Sequence, residues 1–156
     1  MTMKDRVEKA VELFKSGYNC SQSVVAAFAD MYGFTQEQAL RMSASFGGGI
    51  GRMRQTCGAA CGMFLLAGLE KGAVDGKDSE GKAANYALVQ QLAEEFRKRN
   101  GSMICAELLG LKKPEGSSTP EARTEQYYAK RPCAKMVEEA AAICCLLYTS
   151  DAADDR

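Results

Sequence analysis

Residues 79–101 read SEGKAANYALVQQLAEEFRKRNG. Leu88, Leu92 and Phe96 recur at every fourth position, Glu94, Glu95, Arg97 and Lys98 supply a polar face, and Asn100-Gly101 offers a left-handed exit. This spacing predicts one long helix from about Ser79 to Arg99, and the same period extends in both directions along the chain. Upstream, Val7, Ala10, Val11 and Phe14 predict a first helix that ends near Gly17. Asn19 can cap a second, which aligns Cys20, Val24, Phe28 and Met31 on one stripe, and Thr35 with Gln38 has capping-box spacing for a short third that fades at Phe46. Thr56 can cap a fourth, with Cys57 in its first turn, running through Phe64 and Leu65 toward Gly72. Downstream, Ile104, Cys105, Leu108 and Leu109 form a short helix, and Cys133, Met136, Val137, Ala140 and Cys144 a final one. Strand patterning is absent, so the chain is predicted to be an all-α, single-domain helical bundle of about five to seven helices.

Pro114, Pro120 and Pro132 all fall between Gly110 and Cys133, the one long connection. It is read either as a linker with a helical turn around Glu121 to Tyr128 or as a lid or docking surface. The closing segment CLLYTSDAADDR, Cys145 to Arg156, resembles the in-frame translation of a transposon-end adapter used in sequencing libraries. It is read as a non-native tail, leaving residues 1–144 as the domain and the final helix cut short.

Charge excludes one broad class of function. The chain carries 20 basic and 20 acidic residues, and without the tail 19 and 17 remain. Bases alternate with acids along the helical segments, so no basic face exists for nucleic acid. No run approaches the roughly 18 apolar residues of a membrane span, and the N-terminus MTMKDRVEKAVELF is charged where a signal peptide is apolar. A cytoplasmic protein without membrane association is expected, its oligomeric state left open. In a reducing compartment its cysteines are read as metal ligands or a redox couple rather than permanent bridges.

Histidine is absent altogether, which removes the usual general base and the commonest zinc ligand and leaves sulfur to carry the chemistry. Cys20, Cys57, Cys105 and Cys133 each stand where an apolar stretch begins, a pattern expected of one site assembled by several helices. Cys57, at a helix start with Arg52 and Arg54 nearby, is expected to be the most acidic thiol, because open amide groups and the helix dipole favour thiolate. Gly58 and Ala59 leave room there for a ligand, a cluster sulfide or a second helix. Cys61 and Cys144 read better as core fillers. Gly47-Gly48-Gly49-Ile50-Gly51 lacks the Gly-Lys-Ser/Thr of a phosphate loop and a preceding strand, so no nucleotide is expected, and a glycine hinge between helices is preferred to an anion-binding nest. No Cys-x-x-Cys pair occurs, so any site draws on distant segments.

With TCGAACG around Cys57, YNCSQSV around Cys20, GSMICAELLG around Cys105, and Cys133, the chain resembles the C_GCAxxG_C_C family of redox-active proteins. Gly58, Ala59 and Gly62 complete the CGAxxG motif and are assigned to cofactor approach, while Cys61 and Cys144 match no family position. The resemblance implies a cytosolic redox protein, and a related domain associated with an iron–sulfur centre makes a cluster an option. The haem-binding Cys-x-x-Cys-His is absent, so haem is not carried over. Cys20, Cys57, Cys105 and Cys133 are then either ligands of an iron–sulfur cluster, less readily of zinc, or a dithiol couple. In the dithiol version Cys57 is the nucleophile, Cys133 or Cys20 resolves the mixed disulfide, and the partner is an oxidoreductase or thiol protein. The rival expectations are a non-catalytic helical interaction module using the Gly110 to Pro132 segment, and a structural zinc protein.

Overall fold

The computed structural model describes residues 1–111 and 117–155. Among the described residues there are eight α-helices and no strand: α1 (Met3–Lys15), α2 (Cys20–Ala26), α3 (Gln36–Ser43), α4 (Gly58–Lys71), α5 (Ser79–Asn100), α6 (Cys105–Leu108), α7 (Glu125–Lys130) and α8 (Cys133–Asp155). Two 3-10 turns, Ala29–Tyr32 and Ala44–Phe46, join them. The all-α reading holds, with one helix more than the expected range. That helix is α7, where a single turn was anticipated; Thr124 caps it by accepting the Tyr127 amide. Part of the long connection, with Pro114, lies outside the described residues, as does Arg156.

Reciprocal capping boxes start three helices, Thr2 with Asp5, Asn19 with Gln22 and Thr35 with Gln38, satisfying amides that the helices cannot pair internally. Thr56 does not cap α4; Cys57 itself occupies the N-cap. The long stripe expected of α2 also breaks, because the helix ends after Ala26 and the chain tightens into the turn Ala29–Tyr32, closed by left-handed Gly33. A buried Arg6 locks that bend, donating to Asp30 at 2.6 Å and to the Ala27 carbonyl at 2.9 Å. Phe28 therefore stays in the core while Met31 is exposed.

α4 is the central element, packed against α2, α5 and α8, with α1 crossing α2 and α8. Apolar on most of its surface, it is buried along most of its first three turns. Its approach to α2 depends on two glycines. A Cβ at Gly62 would lie 2.9 Å from Val24 Cβ, and one at Gly58 would lie 2.8 Å from the Phe46 carbonyl oxygen and 3.4 Å from Cys20 Cβ. α8 does not stop at Cys144: it continues to Asp155, and Leu147 and Tyr148 are buried in the main core. The Tyr148 ring stacks on Phe28 at 5.6 Å, and the Tyr32 hydroxyl lies 2.7 Å from both the Tyr148 hydroxyl and the Glu70 carboxylate. Ala140, Ala141, Cys144, Leu147 and Tyr148 prolong one apolar stripe across the start of the segment read as adapter-derived.

The glycine run is a left-handed coil. Gly48, Gly49, Ile50, Gly51 and Arg52 all have φ between 56° and 72°. The amides of Ile50, Gly51, Arg52, Arg54 and Gln55 donate to carbonyls of Phe46, Ser45, Gly47, Gly48 and Gly49 respectively. These amides are engaged within the loop and tie the coil to itself. Left-handed backbone costs a side-chain-bearing residue roughly 1–2 kcal/mol, which Ile50, Arg52 and Arg54 sustain against this bonded scaffold.

Candidate functional site

Each of the four predicted cysteines stands at the beginning of a helix, Cys20 opening α2, Cys57 capping α4, Cys105 opening α6 and Cys133 opening α8. The fold turns these starts toward one another, and all four side chains line one cavity of about 60 Å³. An isolated β-bridge between Thr56 and Ile104 registers two of them. The Cys57 amide donates to the Met103 carbonyl at 2.7 Å and the Cys105 amide to Gln55 at 2.6 Å, so these two cysteines sit side by side on paired backbone. Gly49 makes the registration possible, since a Cβ there would meet Cys105 Cβ at 2.5 Å. Cys61 and Cys144 are buried away from this cavity, in agreement with core roles.

The surroundings push the sulfurs apart electrostatically. Burial raises the Cys57 thiol to about 12, outweighing the amides of Ala60 and Ala59 that favour its thiolate. For the expectation that Cys57 is the acidic nucleophile, the helix terminus acts in the expected direction, and desolvation acts against it with the larger effect. Burial also raises Cys105, against the opposing pull of Arg54, whose Nη1 donates to its sulfur at 3.5 Å.

Cys133 goes the other way. The neighbouring Cys20 thiol, ahead of the Arg131 charge, the Tyr127 hydroxyl and the Arg54 charge, favours the Cys133 thiolate over the penalty of burial and lowers Cys133 to about 7. The neighbouring Cys133 and burial hold Cys20 well up as a thiol. Cys133 is also the one of the four that is not fully buried. The pair is thus a thiol facing a thiolate, with the more acidic sulfur nearer to solvent.

Gly58 lines the cavity, whereas Ala59 and Gly62 do not, and Gly62 faces α2. At Gly62 the CGAxxG spacing serves helix–helix approach, since a Cβ there would meet Val24 of α2. Among the described residues, no group of three or more Cys, Asp or Glu side chains is arranged to hold a metal ion.

The long connection, read from sequence as a linker or as a lid or docking surface, supplies Arg123, Tyr127 and Pro132 to the cavity's wall, residues the sequence reading had not singled out for the site. Arg123 donates to the carbonyls of Phe14 at 2.8 Å and Tyr18 at 2.9 Å and stacks over the Phe14 ring at 4.3 Å. Arg131 pairs with Glu121 at 2.6 Å and lies over Tyr127 at 5.6 Å. The crowding of two tyrosines, two arginines and a proline into the eleven residues before Cys133 was the signal available.

A family model described as "Putative redox-active protein (C_GCAxxG_C_C)" matches residues 18–146, most of the chain and all four cysteines of the cavity. The chain belongs to the C_GCAxxG_C_C family. The family's cysteine pattern is, in this fold, a set of helix starts gathered round one cavity. No curated protein and no solved structure matches the chain. Among the described residues no helix is long and apolar enough to cross a membrane.

Proposed function

We propose that this protein is a thiol–disulfide redox protein whose working pair is Cys133 and Cys20. The observation that carries the reading is that Cys20 and Cys133 line one cavity, in which Cys133 is the one of the four that is not fully buried and has its pKa lowered to about 7. The Cys133 thiolate attacks one sulfur of a partner disulfide; a mixed disulfide forms, and the expelled partner thiolate takes up a proton. Cys20 then loses its proton to solvent and attacks Cys133 sulfur, releasing the second partner thiol. Two electrons pass from the protein to the partner, and the reverse sequence reduces the Cys20–Cys133 disulfide. Cys57 and Cys105 form the buried rear of the site, and the Arg54 contact favours the electron-rich state of Cys105. A pair that works by being repeatedly reduced suits the cytoplasm, where thiol reductants are abundant.

The test is a thiol count on anaerobically reduced full-length chain before and after mild oxidation. A reversible loss of two thiols, abolished in Cys133→Ser and in Cys20→Ser, is the expected result. No loss of thiols from folded protein would overturn the reading.

A second reading is favoured by the convergence of four cysteines on one cavity. Cys20, Cys57, Cys105 and Cys133 would hold an iron–sulfur cluster, which spreads its thiolate ligands over more than one iron and would supply one-electron transfer when bound. Arg54 and Arg131 would offset its negative charge. Brown protein with iron and acid-labile sulfide, lost in Cys57→Ser or Cys105→Ser, separates this reading from the first.

A further inference from the structure

None of the residues from Glu121 to Ala129 or from Arg131 to Lys135 is buried, although Arg123, Tyr127 and Pro132 wall the sulfur cavity. This segment is fastened to the C-terminal end of α1. Arg123 donates to the Phe14 and Tyr18 carbonyls, and the Tyr128 hydroxyl donates to the Lys15 carbonyl at 3.2 Å. Arg123 also lies over the Phe14 ring, which Tyr128 meets edge-on at 5.9 Å. The last carbonyls of a helix lack partners in a following turn, so a guanidinium and a hydroxyl cap them well. Polar and cation–π contacts at a half-buried surface can open locally without disturbing the core. Arg131 pairs with Glu121 at 2.6 Å, which ties the two ends of the segment together as a unit. Arg131 ends α7 in extended backbone, φ −93° and ψ 130°, and Pro132 keeps it out of the helical region. α7 and α8 therefore meet at a joint, and Cys133 is the first residue of α8 beyond it.

Closed in this way, the cavity is too small for a partner disulfide. Its volume of about 60 Å³ holds a few water molecules, against roughly 300 Å³ or more for a small-molecule site. We infer that residues 121–131 are a lid over the sulfur site, latched to the end of α1 by Arg123 and Tyr128, and that lifting at the Arg131–Pro132 joint admits the partner disulfide to Cys133. The inference rests on the dithiol reading for what passes through the opening, while the lid itself stands on the packing. Closed, it keeps stray disulfides from the thiol pair; open, it withdraws Arg123 and Tyr127 from the cavity wall.

Access is read by alkylating the reduced full-length chain at pH 9, well above the value of about 7 for Cys133, and following Cys133 by peptide mass spectrometry. Iodoacetamide is compared with a polyethylene-glycol iodoacetamide, each corrected for its rate with a free thiol. The unmodified chain is expected to favour the small reagent about tenfold, and Arg123→Gln to raise the bulky reagent's rate about tenfold and shrink that preference to less than about threefold. Hydrogen exchange identifies the element that moves: amides of α7 should exchange faster in Arg123→Gln while those of α5 stay unchanged. If that variant loosens α5 as well, Tyr128→Phe, which keeps its ring, is judged by the same readouts with a smaller rise of about threefold. Rates in the unmodified chain that are independent of reagent size, or variants that leave both the size preference and α7 exchange unchanged, would overturn the lid. A lid that passes these tests in a protein losing no thiols on mild oxidation keeps the inference and removes the dithiol reading.

Discussion

Cys57 and Cys133 both stand at the start of long helices and line the same cavity, yet one is pushed up to about 12 and the other down to about 7. The helix dipole is common to both, so it is not what separates them. Cys57 is enclosed by α2, the glycine coil and the Met103 to Cys105 backbone, and burial dominates it. Cys133 is partly open, and its neighbours Cys20, Arg131, Tyr127 and Arg54 all favour its thiolate. A helix N-terminus contributes on the order of 1 kcal/mol toward an anion, less than desolvation takes away from a fully buried one. Hydrogen bonds to the anion, with neighbouring cations, decide which thiol ionises.

The contrast can be broken most directly by removing the acidic sulfur. Cys133→Ser is expected to abolish reversible thiol oxidation while Cys57→Ser retains it, read by thiol counting and by peptide mass spectrometry. Next in size is the difference in native reactivity. At neutral pH Cys133 is expected to alkylate at least about a hundredfold faster than Cys57, because thiolate is the reacting form. The Cys133 rate should rise as pH climbs through about 7, where the proton leaves, and fall below it. Equal rates for the two would overturn the comparison.

Gly49→Ala probes the other half. It forces a side chain onto left-handed backbone and within 2.5 Å of Cys105 Cβ, and should cost about 3 kcal/mol of stability in denaturant unfolding. Gly62→Ala, opposite Val24 and with ordinary backbone, should cost less, about 1–2 kcal/mol. The smallest effect is expected from Arg131→Gln, which removes one of several charges acting on Cys133. Its pH midpoint for alkylation should move upward, slowing the reaction about threefold to tenfold near pH 6.5 with Cys57 unchanged.

Much of the fold was legible because its signals are local. The limits of α5, the three capping boxes and the left-handed exit at Gly101 each depend on residues a few positions apart. The α2 boundary was missed because its cause, the Arg6–Asp30 lock, spans 24 positions. Of the site, the four cysteines were legible as helix starts, and so was the discounting of Cys61 and Cys144 for this cavity. The wall built by Arg123, Tyr127 and Pro132 was not, since a polar, proline-containing connection carries no periodicity that says where it folds back.

By itself the sequence determined the helical scaffold and the family's four-cysteine pattern. Four cysteines at the starts of amphipathic segments are read directly from the chain, and helix periodicity is written in nearest neighbours. Tertiary structure alone decided which sulfur is acidic, which glycines serve packing, and which arginines surround the opening. Those properties follow from desolvation and from contacts between residues such as Cys20 and Cys133, far apart in the chain, which exist only once the helices have closed around the cavity.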